Sequence, residues 1–250
     1  TGSSLMTVAS GNRGVHVVSD ANTISGGWLV TGRLTAGYRS GSSIIGGDGG
    51  FGSGPMTVNS GGLLQFYQEQ TGTVPSSITV NTGGTINVCG HNDAPRNQSL
   101  LTLDMNGGNY YVNKSTTNSG TINIGALGMT LTGGNSNAND RHHWAADLLH
   151  GSSSITFDTS VRKVEIDAAQ PNYSGTWTID SGGLIVSAAG ALGTNTAQVV
   201  VRDYDDQDGL ILKTIDPNLP EVLLDGGNLY NTVSRGTDTF GTDITVSANG

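Results

Sequence analysis

Apolar positions along this chain come in short runs, and polar turn formers break each run before it could fill a helix. Runs at 15–18, 28–30, 78–80, 122–124, 155–157, 161–166, 177–179, 199–201, 210–212, 222–224 and 244–246 are rich in Val, Ile and Leu. Gly, Asn, Asp and Ser stand between them, as expected of strands separated by turns. One unit recurs. Thr57-Val58-Asn59-Ser60-Gly61-Gly62 returns as Thr79-Val80-Asn81-Thr82-Gly83-Gly84 and as Thr178-Ile179-Asp180-Ser181-Gly182-Gly183, each followed by another apolar stretch. The first two copies start 22 residues apart. That period is too short for two helices and fits one rung of a stacked β-solenoid. The three Gly-Gly pairs are expected at equivalent turns. Asn106-Gly107-Gly108-Asn109 and Asp225-Gly226-Gly227-Asn228 form a second recurring turn, in which Gly and Asn supply positive φ.

The pattern predicts an all-β chain, more than a third strand, folded as one solenoid unit over residues 1–250. Rungs of about 20–25 residues give about 10–12 irregular rungs. A strand spacing of about 4.8 Å makes the rod about 50 Å long. Three stretches read as loop excursions: 91–98, 135–150 and 216–220. Within the second, 140–150 is the one segment that reads as a short helix, with Asp140 as N-cap and Gly151 as stop.

Composition narrows the class. Glycine takes 39 of 250 positions without a three-residue period, so it marks turns rather than a collagen helix. Hydrophobic residues reach 35% and charged residues only 12%, which excludes a disordered polyelectrolyte. The net charge of −9 argues against a nucleic-acid partner and against adhesion to an anionic membrane. No stretch approaches the roughly 20 apolar residues of a membrane-spanning helix. Cys89 is the only cysteine, so no intrachain disulfide forms, and its place after Thr85-Ile86-Asn87-Val88 reads as a buried position near a strand end. The sequence opens on Thr1 rather than Met, which reads as a processed product or an excised segment. Thr7-Val8 and Thr245-Val246 make both ends look like the middle of the repeat.

Residues 172–194, from Asn172-Tyr173-Ser174-Gly175-Thr176-Trp177 through Gly182-Gly183-Leu184 to Leu192-Gly193, resemble the autotransporter-associated β-strand repeat. A partial copy runs through Ser25-Gly26-Gly27-Trp28-Leu29-Val30, with Phe51-Gly52-Ser53-Gly54 in the Leu-Gly place, and continues into Pro55–Leu63. The resemblance implies a right-handed parallel β-helix in the exported passenger of a bacterial surface protein. It carries over no catalytic residue, because the motif closes turns and fills the core.

Four places hold candidate chemistry. Asp203, Asp205, Asp206 and Asp208 form the densest acidic cluster and end at Gly209. Alternating carboxylates supply the hard oxygens that Ca²⁺ takes, but the spacing is not that of an EF-hand, and a solvated acidic turn is the plainer account. If 140–150 is helical, His143, Asp147 and His150 share a face beside His142, as metal ligands would. Trp144 and Leu148 instead indicate a segment packed on the rod. Asp104, Asp158, Glu165 and Asp167 lie on or beside strands, where paired carboxylates could cleave glycans, yet no pair is marked. Cys89 completes the set. No Ser/His/Asp signature, phosphate loop or dinucleotide fingerprint occurs.

The expectation is an extracellular, cell-surface, non-enzymatic structural β-helix: a self-assembling filament subunit whose partners are copies of itself end to end, or a segment of an adhesin-like passenger. No cofactor is expected, calcium at 203–208 excepted, and no membrane insertion. The alternatives are a carbohydrate-active β-helix enzyme and an adhesin whose loops at 91–98 and 135–150 meet surface glycans.

Overall fold

A computed structural model describes residues 2–9, 11, 14–19, 22–40, 43–45, 50–67, 74–87, 101–111, 117–118, 120–133, 141–194, 198–202, 209–214, 219–232 and 244–247. All of the regular structure among them is strand, and it fills more than a third of the chain. The strands stack in parallel as a β-solenoid. The first face stacks seven strands in chain order: Met6–Val8, Trp28–Val30, Met56–Val58, Ile78–Asn81, Thr102–Asn106, Thr121–Ile124 and Leu149–Gly151. The second face runs from Val15–Val17 through Arg33–Ala36, Leu63–Phe66, Thr85–Asn87, Gly108–Tyr111 and Met129–Thr132. It then continues through the long strands Ile155–Ile166 and Trp177–Val186 to Val199–Val201, Val222–Leu224 and Ile244–Val246. A third face begins with Thr117–Asn118 and Arg141–Trp144. It takes the second halves of the two long strands and ends on Gly209–Leu212 and Leu229–Asn231.

About seven complete turns result, fewer than the 10–12 rungs expected. The later passes reach the first face only as turns. Gly151 meets Tyr173 by a single bridge, and Thr194 N–H donates to Tyr173 O at 2.8 Å. Pro171 and the Gly190–Gly193 turn occupy these passes, where a ladder strand would need a donor at every residue. Among the described residues Tyr38–Ser40 departs from the parallel pattern, pairing with Ser43–Ile45 as an antiparallel hairpin, and Asn81 meets Gly107 by a single antiparallel bridge.

Alternation along each short strand builds the core. On the first face Val8, Val30, Val58, Val80 and Met105 stack in one inward column. On the second face Leu34, Leu64, Ile86, Tyr110, Leu131, Phe157, Ile179 and Val201 stack in another, all at 0% exposure. Burying each such side chain is worth about 1.5–3 kcal/mol. Aromatic rings pack along the axis. Phe51 lies between Trp28 and Phe66, and Trp177 gathers Tyr173, Phe157 and Trp144 within 5.2–6.4 Å.

The stretch 141–151 is strand–turn–strand, not the expected helix. On its first strand His143 stays half-buried while the adjacent Trp144 enters the core, where it is fully buried. Ready-made parallel partners at Thr117–Asn118 and Ile155–Ile166 capture it, and tertiary pairing overrides the local helical spacing.

The Gly-Gly pairs are equivalent only in part. Gly61-Gly62 stacks on Gly83-Gly84 at the corner between the first and second faces, and Gly61 N–H donates to Gly83 O at 3.0 Å. Gly182-Gly183 turns the next corner, between the second and third faces. The backbone is alike at all three, with φ of 78° at Gly61, 75° at Gly83 and 85° at Gly182. The chain therefore uses one turn design at two different corners.

Candidate functional site

The outward positions of the rod are where chemistry could reside, and their side chains run as ladders from rung to rung. At the first corner Asn81 Nδ2 donates to Asn59 Oδ1 at 2.8 Å, and Asn106 Nδ2 donates to Asn81 Oδ1 at 3.4 Å. The parallel register sets these three amides one above another, and each supplies the next rung's acceptor. On the first face Asn123 Nδ2 donates to Asp104 Oδ1 at 2.8 Å. On the second face Arg33 Nη2 donates to Gln65 Oε1 at 2.9 Å.

At the second corner Ser181 Oγ donates to Asp158 Oδ1 at 3.1 Å. Above them Arg202 bridges two rungs, with Nη1 3.1 Å from Asp180 and Nε 3.4 Å from Asp225. The Asp180 hydrogen bond and charge hold the guanidinium above its ordinary pKa, with Asp225 adding to it. Ser247 Oγ extends the column by donating to Asp225 Oδ1 at 3.0 Å.

The third face holds an enclosed polar cluster. Glu165 sits between the inward Val164 and Ile166, at an outward position, yet its side chain is only 8% exposed. Lys213 Nζ lies 2.6 Å from its Oε1, and Ser187 Oγ donates to the same oxygen at 2.5 Å. Lys213 stands two rungs further on. One rung below, His143 Nδ1 is 3.4 Å from Asp167 Oδ2.

Two further polar groups work inside the coil. Gln170 is wholly buried where the third face turns back to the first. Its Oε1 accepts from Leu148 N–H and Leu149 N–H, and its Nε2 donates to the carbonyls of Ala145 and Ala168. Tyr173 is also buried, with its hydroxyl proton shared between Ser153 O at 3.0 Å and Thr176 O at 3.2 Å. Burial pushes this phenol far above its ordinary pKa.

The residues singled out from sequence separate accordingly. Asp203, Asp205, Asp206 and Asp208 lie outside the described residues, as do Cys89, the loop at 91–98 and residues 135–140. His143 and His150 fall on different faces, the third and the first. His150 Nε2 lies 3.3 Å from Asp147, whose own backbone takes a φ of 53°. Asp104 stands on the first face, Asp158 at the second corner, and Glu165 and Asp167 two residues apart at the end of one third-face strand, where Glu165 is engaged by Lys213 and Ser187 and Asp167 by His143. No group of three or more His, Cys, Asp and Glu able to hold a metal ion occurs among the described residues. No helix among them is long and apolar enough to cross a membrane.

Sequence reading missed Lys213, Ser187, Arg202 and Gln170. Apart from Ala168, two residues before Gln170, their partners lie 21–48 residues away, and the stacking register joins them. The residues of the repeat-like stretch do close turns. Trp177 Nε1–H donates to Leu192 O at 2.9 Å, and Trp28 Nε1–H donates to Phe51 O at 2.8 Å, each carbonyl preceding a glycine. No family model, no curated protein and no solved structure matches the chain.

Proposed function

We propose that this chain is a non-enzymatic structural β-solenoid of an exported bacterial surface protein. It serves as a rod, either as a filament subunit or as a segment of a longer adhesin-like passenger. The observation that supports this reading is how the outward polar side chains are used. Asn59–Asn81–Asn106, Asp180–Arg202–Asp225 and Glu165–Lys213 each join rung to rung and stiffen the stack along its axis. A hydrolase would instead leave two carboxylates, about 5–10 Å apart, free to face one substrate bond, whereas Glu165 is engaged by Lys213 and Ser187, and Asp180 and Asp225 by Arg202. The low charge, the Ser/Thr/Asn-rich surface and the resemblance of residues 172–194 to passenger repeats point the same way.

The test is a panel of plant and bacterial polysaccharides incubated with the purified chain and assayed for new reducing ends. The expected result is no release above buffer. Turnover that disappears in the Glu165→Gln or Asp104→Asn variant would replace this reading with a carbohydrate-active enzyme.

A further inference from the structure

Three polar residues on the outer side of the second face are covered, although their column is open further along the rod. Thr35 lies between the inward Leu34 and Ala36, so its side chain leaves the sheet on the outer side, yet it is 0% exposed. Its ladder partner Gln65 is 9% exposed, and Asn87, next in register, is 7% exposed. Beyond them on the same face Thr132 is half-buried and Asp158 is exposed. The cover therefore belongs to this part of the rod and not to the position in the strand.

Thr35 Oγ1 is buried without a hydrogen-bond partner. Such a group is costly, and in native proteins it usually meets a water or an ion. The neighbours favour an ion. Arg33 stands about 7 Å before Thr35 on the same outer side of the strand. It is exposed, and its Nη2 donates to Gln65 Oε1 at 2.9 Å. A guanidinium has further donors to offer, and with Oε1 taken the Gln65 amide keeps only those on Nε2. No acid stands beside Arg33 in the register. Leu63, Thr85 and Asn109 follow it on its own column, and His16, Gln65 and Asn87 flank Thr35 on the other. Among the described residues this cation is paired with a neutral amide alone, in a chain whose net charge is −9.

We propose that Arg33, Thr35 and Gln65 form a binding site for a small anion of single charge, chloride or a carboxylate group. The anion accepts from Arg33 and from Gln65 Nε2 on the exposed side, and from the Thr35 hydroxyl at its inner end. Bonds from a guanidinium to an anion are charge-assisted and strong. The same guanidinium repels a metal cation, and one positive group in an enclosed place balances one negative charge, not two. The site goes beyond the structural reading by giving the rod a ligand. That ligand ties the Arg33–Ala36 strand to the Leu63–Phe66 strand through donors that these side chains have to spare.

Line broadening in chlorine nuclear magnetic resonance, with sodium chloride and the purified 250-residue chain, reads the site directly. Wild type should broaden the chloride line, and Thr35→Val and Arg33→Met should each lose that excess while keeping the far-ultraviolet circular dichroism spectrum. Sodium acetate added at constant ionic strength separates the two sources: reversal of the broadening assigns the site to carboxylates, and persistence assigns it to chloride. A melting series needs no variant. Chloride should raise the wild-type melting temperature by about 2–4 °C near saturation. Thr35→Val should not respond to chloride, and in chloride-free buffer it should melt no lower than wild type, because valine removes a buried hydroxyl that no group of the chain satisfies. Equal broadening by all three proteins, or a wild-type melting temperature indifferent to chloride and acetate, overturns the site. A Thr35→Val chain that melts lower without chloride overturns it too, since the hydroxyl would then have its partner within the chain.

Discussion

Gln170→Leu should loosen one corner of the rod by about 3 kcal/mol while leaving distant rungs untouched. The wild-type amide makes four hydrogen bonds to main chain: Leu148 N–H and Leu149 N–H at 2.9 Å, Ala145 O at 2.8 Å and Ala168 O at 3.2 Å. Three of them fasten the 145–149 corner, so one side chain holds the turn of the rung before its own. Leucine has nearly the same volume and no polar atom. Two buried N–H donors would lose their acceptor, at about 1–3 kcal/mol each. The two carbonyls lose less, since each keeps a second lone pair. Removing the buried amide itself offsets about 1–2 kcal/mol. The balance is a loss of about 3 kcal/mol, a factor of about 10² in the local opening equilibrium.

A solenoid opens rung by rung, so a global melt can understate a corner defect. Native-state hydrogen exchange reads the corner directly. Leu148 and Leu149 amides should exchange about 10²-fold faster in the variant, while amides in remote rungs, such as Ile86, should not change. Gln170→Glu keeps the acceptor but buries a charge. Its carboxyl would titrate above the unfolded value, so the deficit is smallest below about pH 4 and grows as pH rises. Unchanged protection at Leu148 and Leu149, with a stability loss under about 1 kcal/mol by urea denaturation, would show that the amide does not hold the corner.

Three other outcomes follow from the same geometry. Gly182→Val should cost about 1–3 kcal/mol in thermal denaturation, because a β-branched residue resists the φ of 85° found there, while Gly182→Asn should cost less; an unchanged melting temperature would remove the strain argument. Lys213→Met should destabilise by about 2 kcal/mol, less than the loss of a partner from a fully buried pair because Lys213 is 30% exposed, and Glu165→Leu added to it should restore most of the loss. Equal stability of the single and double variants in urea would refute this. The Tyr173 phenol has its folded pKa raised by burial, so the stability it supports is full below the unfolded value of about 10 and is lost as pH rises beyond it. In an ultraviolet titration, Tyr173→Phe should leave the curve unchanged up to about pH 11, and a missing ionisation below that point would contradict the burial.

The fold was legible where the strand signal is local. Thr57–Gly62 and Thr79–Gly84 stack directly, as their 22-residue spacing required. The third copy shows the limit of such reading. Thr178–Gly183 has the same pattern of residue types and nearly the same glycine φ, yet it turns a different corner. In a three-sided coil each corner asks the same thing of the backbone: a strand end, a positive φ and a new strand. Sequence therefore marks a corner without saying which one. Among the described residues the later passes reach the first face through Pro171 and the Gly190–Gly193 turn, so a rung count taken from the 20–25-residue period does not tell which passes lack a strand on that face.

The candidate site was read at the wrong scale, and the reason is physical. Motif spacing finds partners a few residues apart, as in His143, Asp147 and His150. On a helix those offsets share a face. On a strand–turn–strand they do not: His143 stands on the third face beside Asp167, and His150 on the first beside Asp147. The unit of proximity on a solenoid is the column, whose neighbours lie one rung apart in sequence. Asn123 meets Asp104 19 residues back, Ser181 meets Asp158 23 back, and Lys213 meets Glu165 48 back. A search at rung spacing on a known register would have paired all three. That register depends on how many residues each corner consumes. The bulge between Asp158 and Lys163 alters that number within a single strand, so the sequence becomes readable for chemistry only once the stacking is known.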